Sequence, residues 1–97
     1  MRFVVLLAPE AVEDIKALKA NVRAAVKAAI ATHLRYQPTR TSRSRIKRLR
    51  GIDRPQYRLR IGDVRVFYDI SGQNVEVLAV VNKADAAAWL AQFEKTT

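Results

Sequence analysis

Residues 56–70 read QYRLRIGDVRVFYDI, two alternating runs on either side of Gly62-Asp63. In the first run Tyr57, Leu59 and Ile61 fall on one face and Arg58 and Arg60 on the other, the period of two expected of a half-buried strand. In the second run Val64, Val66, Tyr68 and Ile70 share a face. Glycine at the first central position of a two-residue loop supplies the positive φ of a type II′ turn, so the pair reads as a β-hairpin. So short a turn also sets register: Ile61 opposite Val64, Arg60 opposite Arg65, Leu59 opposite Val66 and Arg58 opposite Phe67. Cross-strand partners share a face, so Arg58, Arg60 and Arg65 converge away from the apolar side. Like charges directly opposite cost a few tenths to about 1 kcal/mol. An anion between them removes that cost, and the planar guanidinium fork suits phosphate oxygens. The plainer alternative is a row of solvated strand arginines.

Downstream, residues 71–74 form the next turn, and VEVLAVV (75–81) is apolar almost throughout, the pattern of a central strand covered on both faces. With Ile70 opposite Val75, Leu78 falls beside Phe67 and Val80 beside Arg65. Phe67 is then an aromatic among arginines and a candidate for stacking on a base. Asn82 is placed to cap a last helix whose apolar stripe is Ala86, Trp89, Leu90 and Phe93. Lys83, just past the strand, can approach the arginine face, where neighbouring cations favour its neutral amine.

Upstream, RFVVLL (2–7) reads as a buried strand, and Pro9 suits the first turn of a helix. Helical periodicity then persists to Tyr36. One helix over residues 9–36 would run about 42 Å, against a radius of gyration of about 12–13 Å for a domain of this size. A helical hairpin over roughly 9–19 and 22–36 is expected, turning at Lys19-Ala20-Asn21 with Asn21 as cap. Pro38 closes the second helix. Residues 38–55 are a polar, basic segment read as a long loop, with Ile46, Leu49 and Ile52 as anchors. Its Arg40, Arg43, Arg45, Lys47, Arg48 and Arg50 are candidate phosphate or partner contacts. The order β-α-α-β-β-β-α predicts an α+β fold: one small domain over residues 1–97, the helical hairpin and C-terminal helix packed on a mainly antiparallel four-stranded sheet.

The charge sharpens this. The chain has 97 residues and a formal charge of +9, and its 49% hydrophobic content excludes a disordered basic tail. Residues 35–65 hold 11 basic side chains and two acids, and the rest of the chain balances to zero. A localised excess of that kind points to a polyanionic partner. Cysteine is absent and His33 is the sole histidine. Disulfides and Cys/His metal sites are thereby excluded, and no cofactor is expected. His33 and Trp89 read as packing residues. No run is long enough to span a membrane, and a cytoplasmic protein is expected.

Leu49-x-Gly51, the strand YRLR (57–60), the Gly62-Asp63 turn and RVFY (65–68) together resemble the RelE/ParE superfamily of toxins from bacterial type II toxin–antitoxin systems. The element order agrees, so the resemblance covers nearly the whole chain. It implies a RelE-like toxin that cuts mRNA in the ribosomal A site without metal, by attack of the ribose 2′-hydroxyl on the adjacent phosphate. Arg58, Arg60 and Arg65 match family cations, and Lys83 corresponds best to a further family arginine. The family's C-terminal tyrosine has no counterpart here. The resemblance also implies mRNA and ribosomal RNA as partners. It further implies a cognate antitoxin from an adjacent gene that forms a toxin–antitoxin hetero-oligomer. The alternatives are a ParE-like toxin that inhibits DNA gyrase without cutting RNA, and a degenerate basic nucleic-acid-binding module.

Overall fold

The computed structural model describes residues 2–94. Strand β1 (Val4–Leu7) leads into helix α1 (Pro9–Lys16), then helix α2 (Ala20–Ala29), which runs on through a π-helical turn at Ile30–Leu34. Strands β2 (Ile46–Arg48), β3 (Tyr57–Ile61), β4 (Val64–Ser71) and β5 (Asn74–Asn82) follow, and helix α3 (Lys83–Ala91) closes the chain. The sheet order is β1-β5-β4-β3-β2, with β1 parallel to β5 and every other pair antiparallel. The α+β class and the antiparallel character are as expected.

The hairpin register is the one the two-residue turn dictates: Ile61 pairs with Val64, Arg60 with Arg65, Leu59 with Val66 and Arg58 with Phe67. Gly62 has φ +56° and Asp63 is not in the positive-φ region, as the type II′ reading requires. The apolar side of these strands packs under α1 and α2. There Leu59, Val64, Val66, Tyr68, Val75, Val77 and Val80 join Ala11, Ile15, Val26, Ile30, Leu34 and Ile46 in one core.

Several expectations are corrected. The sheet has five strands, because Ile46–Arg48 inside the basic segment pairs with β3. The buried Ile46 lies opposite Leu59 and draws that segment onto the core. Strand β1 is an edge, and Val4, Leu6 and Leu7 are 54%, 47% and 42% exposed. The hairpin turns at residues 17–19, earlier than expected, and no side chain caps α2. Asn82 holds the cap position of α3 but likewise makes no side-chain cap.

A further correction concerns β5. Ile70 does pair with Val75, but a register shift between Phe67 and Tyr68 follows. Phe67 then lies opposite Ala79 and Arg65 opposite Val81, while Val80 pairs with Val66 and belongs to the core. A bulge adds one residue and flips the alternation beyond it. The interrupted ladder leaves the β5 edge past the end of β1, and there the Asp14 carboxylate accepts the Val80 N–H at 2.9 Å.

Candidate functional site

The sheet face turned away from α1 and α2 carries two clusters of charge. Near the Gly62-Asp63 turn, Arg58, Arg60 and Arg65 share the face as their register requires. Lys47 pairs with Arg58 and joins them. The three arginines differ in what holds them. Arg65 is only 6% exposed, and its Nη1 donates to the carbonyls of Gly62 (2.7 Å) and Val64 (3.1 Å). Arg60 is exposed. Arg58 is half-buried, and its Nε is enclosed without a hydrogen-bond partner. Burial, and then the charges of Arg65 and Arg60, hold the Arg58 pKa below its ordinary value. A desolvated guanidinium beside two other cations, with an unused donor, is an arrangement that a bound counter-charge would stabilise.

Lys83 opens α3, and its backbone N–H donates to the Asp63 carbonyl at 2.6 Å, beside the same turn that holds Arg65. It is exposed and sits at the arginine end of the sheet. Phe67 corrects an expectation. It is fully buried and stacks on Trp89, with ring centroids 4.8 Å apart and planes 12° from parallel. Trp89 in turn packs on Phe93. The Phe67 ring is therefore occupied by α3 and presents no face to a base.

The candidates of the basic segment divide. Arg48 lies over the Tyr57 ring at 5.2 Å and donates to the Gln56 carbonyl at 2.8 Å, so it is engaged in packing β2 to β3. Arg40 and Arg45 line a cleft with His33 on the other side of the β2 edge. Arg43 and Arg50 are exposed.

The second cluster, at the opposite end of the same face, escaped the sequence reading. Arg54 donates to Asp69 at 2.9 Å and reaches Glu76 at 3.4 Å. Asp69 also accepts the Gln56 N–H at 2.7 Å, and the Gln56 side chain accepts the Ile70 N–H at 2.8 Å. This knot fastens the end of the basic segment to β4. An alternating strand offers no signal for it, because residues 15 apart meet only once the segment has folded back.

Among the described residues no cluster of His, Cys, Asp and Glu is suited to hold a metal ion, and no helix is long and apolar enough to cross a membrane.

Comparison with known proteins agrees with this architecture. The toxin–antitoxin complex RelBE2 from Mycobacterium tuberculosis superposes with a TM-score of 0.64 at 25% identity, over 84% of this chain and 99% of that one. The RelB–RelE antitoxin–toxin complex from Methanococcus jannaschii gives a TM-score of 0.65 at 20% identity, over 87% and 96%. The archaeal RelE–RelB complex from Pyrococcus horikoshii OT3 gives 0.69 at 21% identity, over 86% and 97%, so both archaeal proteins share the fold. No curated protein sequence matches the chain. The family profile described as ParE toxin of type II toxin–antitoxin system, parDE, matches residues 5–87, a span from β1 into α3 that includes the whole arginine face. The chain belongs to that family and is the toxin of a toxin–antitoxin module.

Proposed function

We propose that this toxin arrests translation by cutting mRNA at the ribosome, with Arg58, Arg60 and Arg65 around the scissile phosphate and Lys83 at its margin. The observation that carries the reading is Arg58, whose enclosed Nε has no partner and whose charge is opposed by two neighbouring guanidinium groups. Attack of a 2′-hydroxyl on the adjacent phosphate builds negative charge on the phosphoryl oxygens. Preorganised cations stabilise that charge, and a single such donor is worth about 10²–10³ in rate. In this step the 2′-oxygen forms a bond to phosphorus while the bond to the 5′-oxygen breaks. One proton leaves the 2′-hydroxyl and one reaches the departing 5′-oxygen. Arg65, held by two carbonyls, orients the face, and Arg58 and Arg60 supply the free donors.

A second reading has its own observation. Arginine is a poor proton carrier, and the cations on this face are arginines apart from Lys47, paired with Arg58, and Lys83 at its margin. That favours the alternative of a ParE-like toxin that binds and blocks DNA gyrase without cutting RNA, and the matching family profile is a ParE one. The two readings separate in one experiment. After induction, primer extension on translated messages maps new 5′ ends if the toxin cuts RNA. Intact messages with a DNA-damage response would replace the nuclease by the gyrase inhibitor. Arg58→Ala should abolish the cuts while the protein stays folded.

The superposed relatives are complexes with RelB antitoxins. A cognate antitoxin from an adjacent gene is proposed here too. A segment rich in acids suits a toxin of charge +9, because attraction speeds capture.

A further inference from the structure

Behind strand β2 the π-helical turn and residues 37–46 enclose a half-open cleft of about 290 Å³, lined by His33, Gln37, Arg40, Ser42, Arg45 and Ile46. The segment is built rather than slack. The Ser42 N–H donates to the Ile46 carbonyl at 2.9 Å, and the Gln37 N–H to the His33 carbonyl at 3.0 Å. From below, the buried Tyr68 hydroxyl donates to the Pro38 carbonyl at 2.6 Å. No acidic side chain lines the cleft.

The hydrogen-bond inventory fixes its chemistry. The Gln37 side-chain oxygen is taken by Arg40 Nη1 at 3.1 Å, which leaves the Gln37 amide nitrogen to donate. The Ser42 oxygen accepts the Arg45 N–H at 3.1 Å, which leaves its hydroxyl proton to donate. Arg40 and Arg45 are donors only, and the imidazole offers one N–H or two. Every polar group in the cleft thus has a donor to give, and the two side-chain amide and hydroxyl oxygens are already engaged. A carboxylate's two oxygens are filled by one guanidinium fork. Two guanidinium groups, a hydroxyl, an amide and an imidazole lining one cleft suit the several oxygens of a tetrahedral anion.

We infer that this cleft is a phosphate-binding site, separate from the arginine face. The Arg45 carbonyl accepts the Arg60 N–H at 2.8 Å, so the two sites lie on either side of a single strand edge. Strands are spaced about 4.8 Å apart. A nucleic-acid backbone crossing that edge would place one phosphate in the cleft and another on the arginine face, an extension that rests on the nucleic-acid reading above. Burial first, and then the Arg45 charge, hold His33 below the ordinary histidine pKa. A bound phosphate would reverse that balance.

His33 is the sole histidine, so its imidazole resonance is an unambiguous reporter. The full-length protein is titrated with inorganic phosphate against chloride at constant ionic strength while the imidazole is followed by NMR. Phosphate should give a saturable shift and move the His33 midpoint upward by about one unit, a tenfold preference for the imidazolium form. Arg45→Ala should abolish the saturation, with Arg45→Lys as the partial case if the alanine variant unfolds. Arg60→Ala should leave it unchanged. An uncleavable 2′-deoxy pentanucleotide that binds at least tenfold tighter than phosphate identifies a polynucleotide backbone as the source, and equal or weaker binding identifies a free phosphate. No saturable shift, or an equal shift with chloride or a glutamate peptide, would overturn the site. None of these readouts involves mRNA cleavage, so the site and the nuclease reading can fail independently.

Discussion

The two ends of the open sheet face use the same residue in opposite ways. At one end Arg54 is 57% exposed and still fully employed, bridging Asp69 and Glu76 and closing the knot with Gln56. At the other end Arg58 is more enclosed and has a donor with nothing to bind. Folding selects the first arrangement, since opposite charges attract and the donors of the segment are satisfied. It opposes the second, since Arg60 faces Arg65 across the hairpin. A strained cluster of that kind persists where a ligand relieves it, and this contrast is what the proposed function draws on at the arginine end.

The largest effect should come from breaking the strained end. Arg58→Ala should reduce RNA cleavage by about 10²–10³-fold, measured as the yield of primer-extension stops at matched toxin level. Its urea midpoint should stay at or above the wild-type value, because a desolvated cation among cations has been removed. Full activity in a folded Arg58→Ala protein would break the comparison at its functional end.

The paired end predicts the reverse. Asp69→Ala removes the acceptor of both Arg54 and the Gln56 N–H. Leaving a part-buried donor unmade costs about 1–3 kcal/mol, read from urea denaturation with an unchanged slope. Cleavage per folded molecule should be retained. A variant as stable as the wild type would show that the knot does not fasten the segment.

What was legible in the chain follows from the same physics. The two-residue turn left the 57–68 register no freedom, so the convergence of Arg58, Arg60 and Arg65 could be read from residue spacing alone. Strand β5 offered no such constraint. Its residues are apolar on both faces, so nothing in VEVLAVV marks the point where the bulge flips Val80 into the core. Strand β2 is three residues inside a basic run, and only the seat of Ile46 opposite Leu59 distinguishes it from loop. An apolar run does not say whether it is central or edge, so RFVVLL alone does not place β1 at the margin of the sheet. Within the site, spacing revealed which arginines share a face but not which is spent. Arg65 is tied to the carbonyls of its own turn, and Phe67 is spent on Trp89, both through contacts that alternation does not encode. The His33 cleft brings together a helix end and a segment whose path depends on the Tyr68–Pro38 hydrogen bond.

A charge reversal turns one end into the likeness of the other. Arg60→Glu would set an acid opposite Arg65, converting a repulsive cross-strand pair into an attractive one. The thermal midpoint should rise by the equivalent of a few tenths to about 1 kcal/mol, and toxicity should vanish because the face no longer attracts phosphate. A stability gain with lost function would be the signature of an arrangement kept for binding. A loss of stability would mean that the arginines are already splayed into water and cost the fold nothing.

The smallest effect isolates Arg54 itself. Its partners remain hydrogen-bonded or solvated when it is removed, since Asp69 keeps the Gln56 N–H and Glu76 is half exposed. Exposed ion pairs are worth about 0.2–1 kcal/mol and weaken with salt. Arg54→Ala should therefore shift the urea midpoint slightly in low salt and not at all near 1 M, where the screening length falls to about 3 Å. The comparison with Asp69→Ala then divides the knot into its parts. A salt-independent remainder in Asp69→Ala belongs to the backbone hydrogen bond, and the salt-sensitive portion belongs to the guanidinium. If Arg54→Ala were as damaging as Asp69→Ala at every salt concentration, charge pairing would be what fastens the segment, and the contrast between the two ends would be one of electrostatics alone.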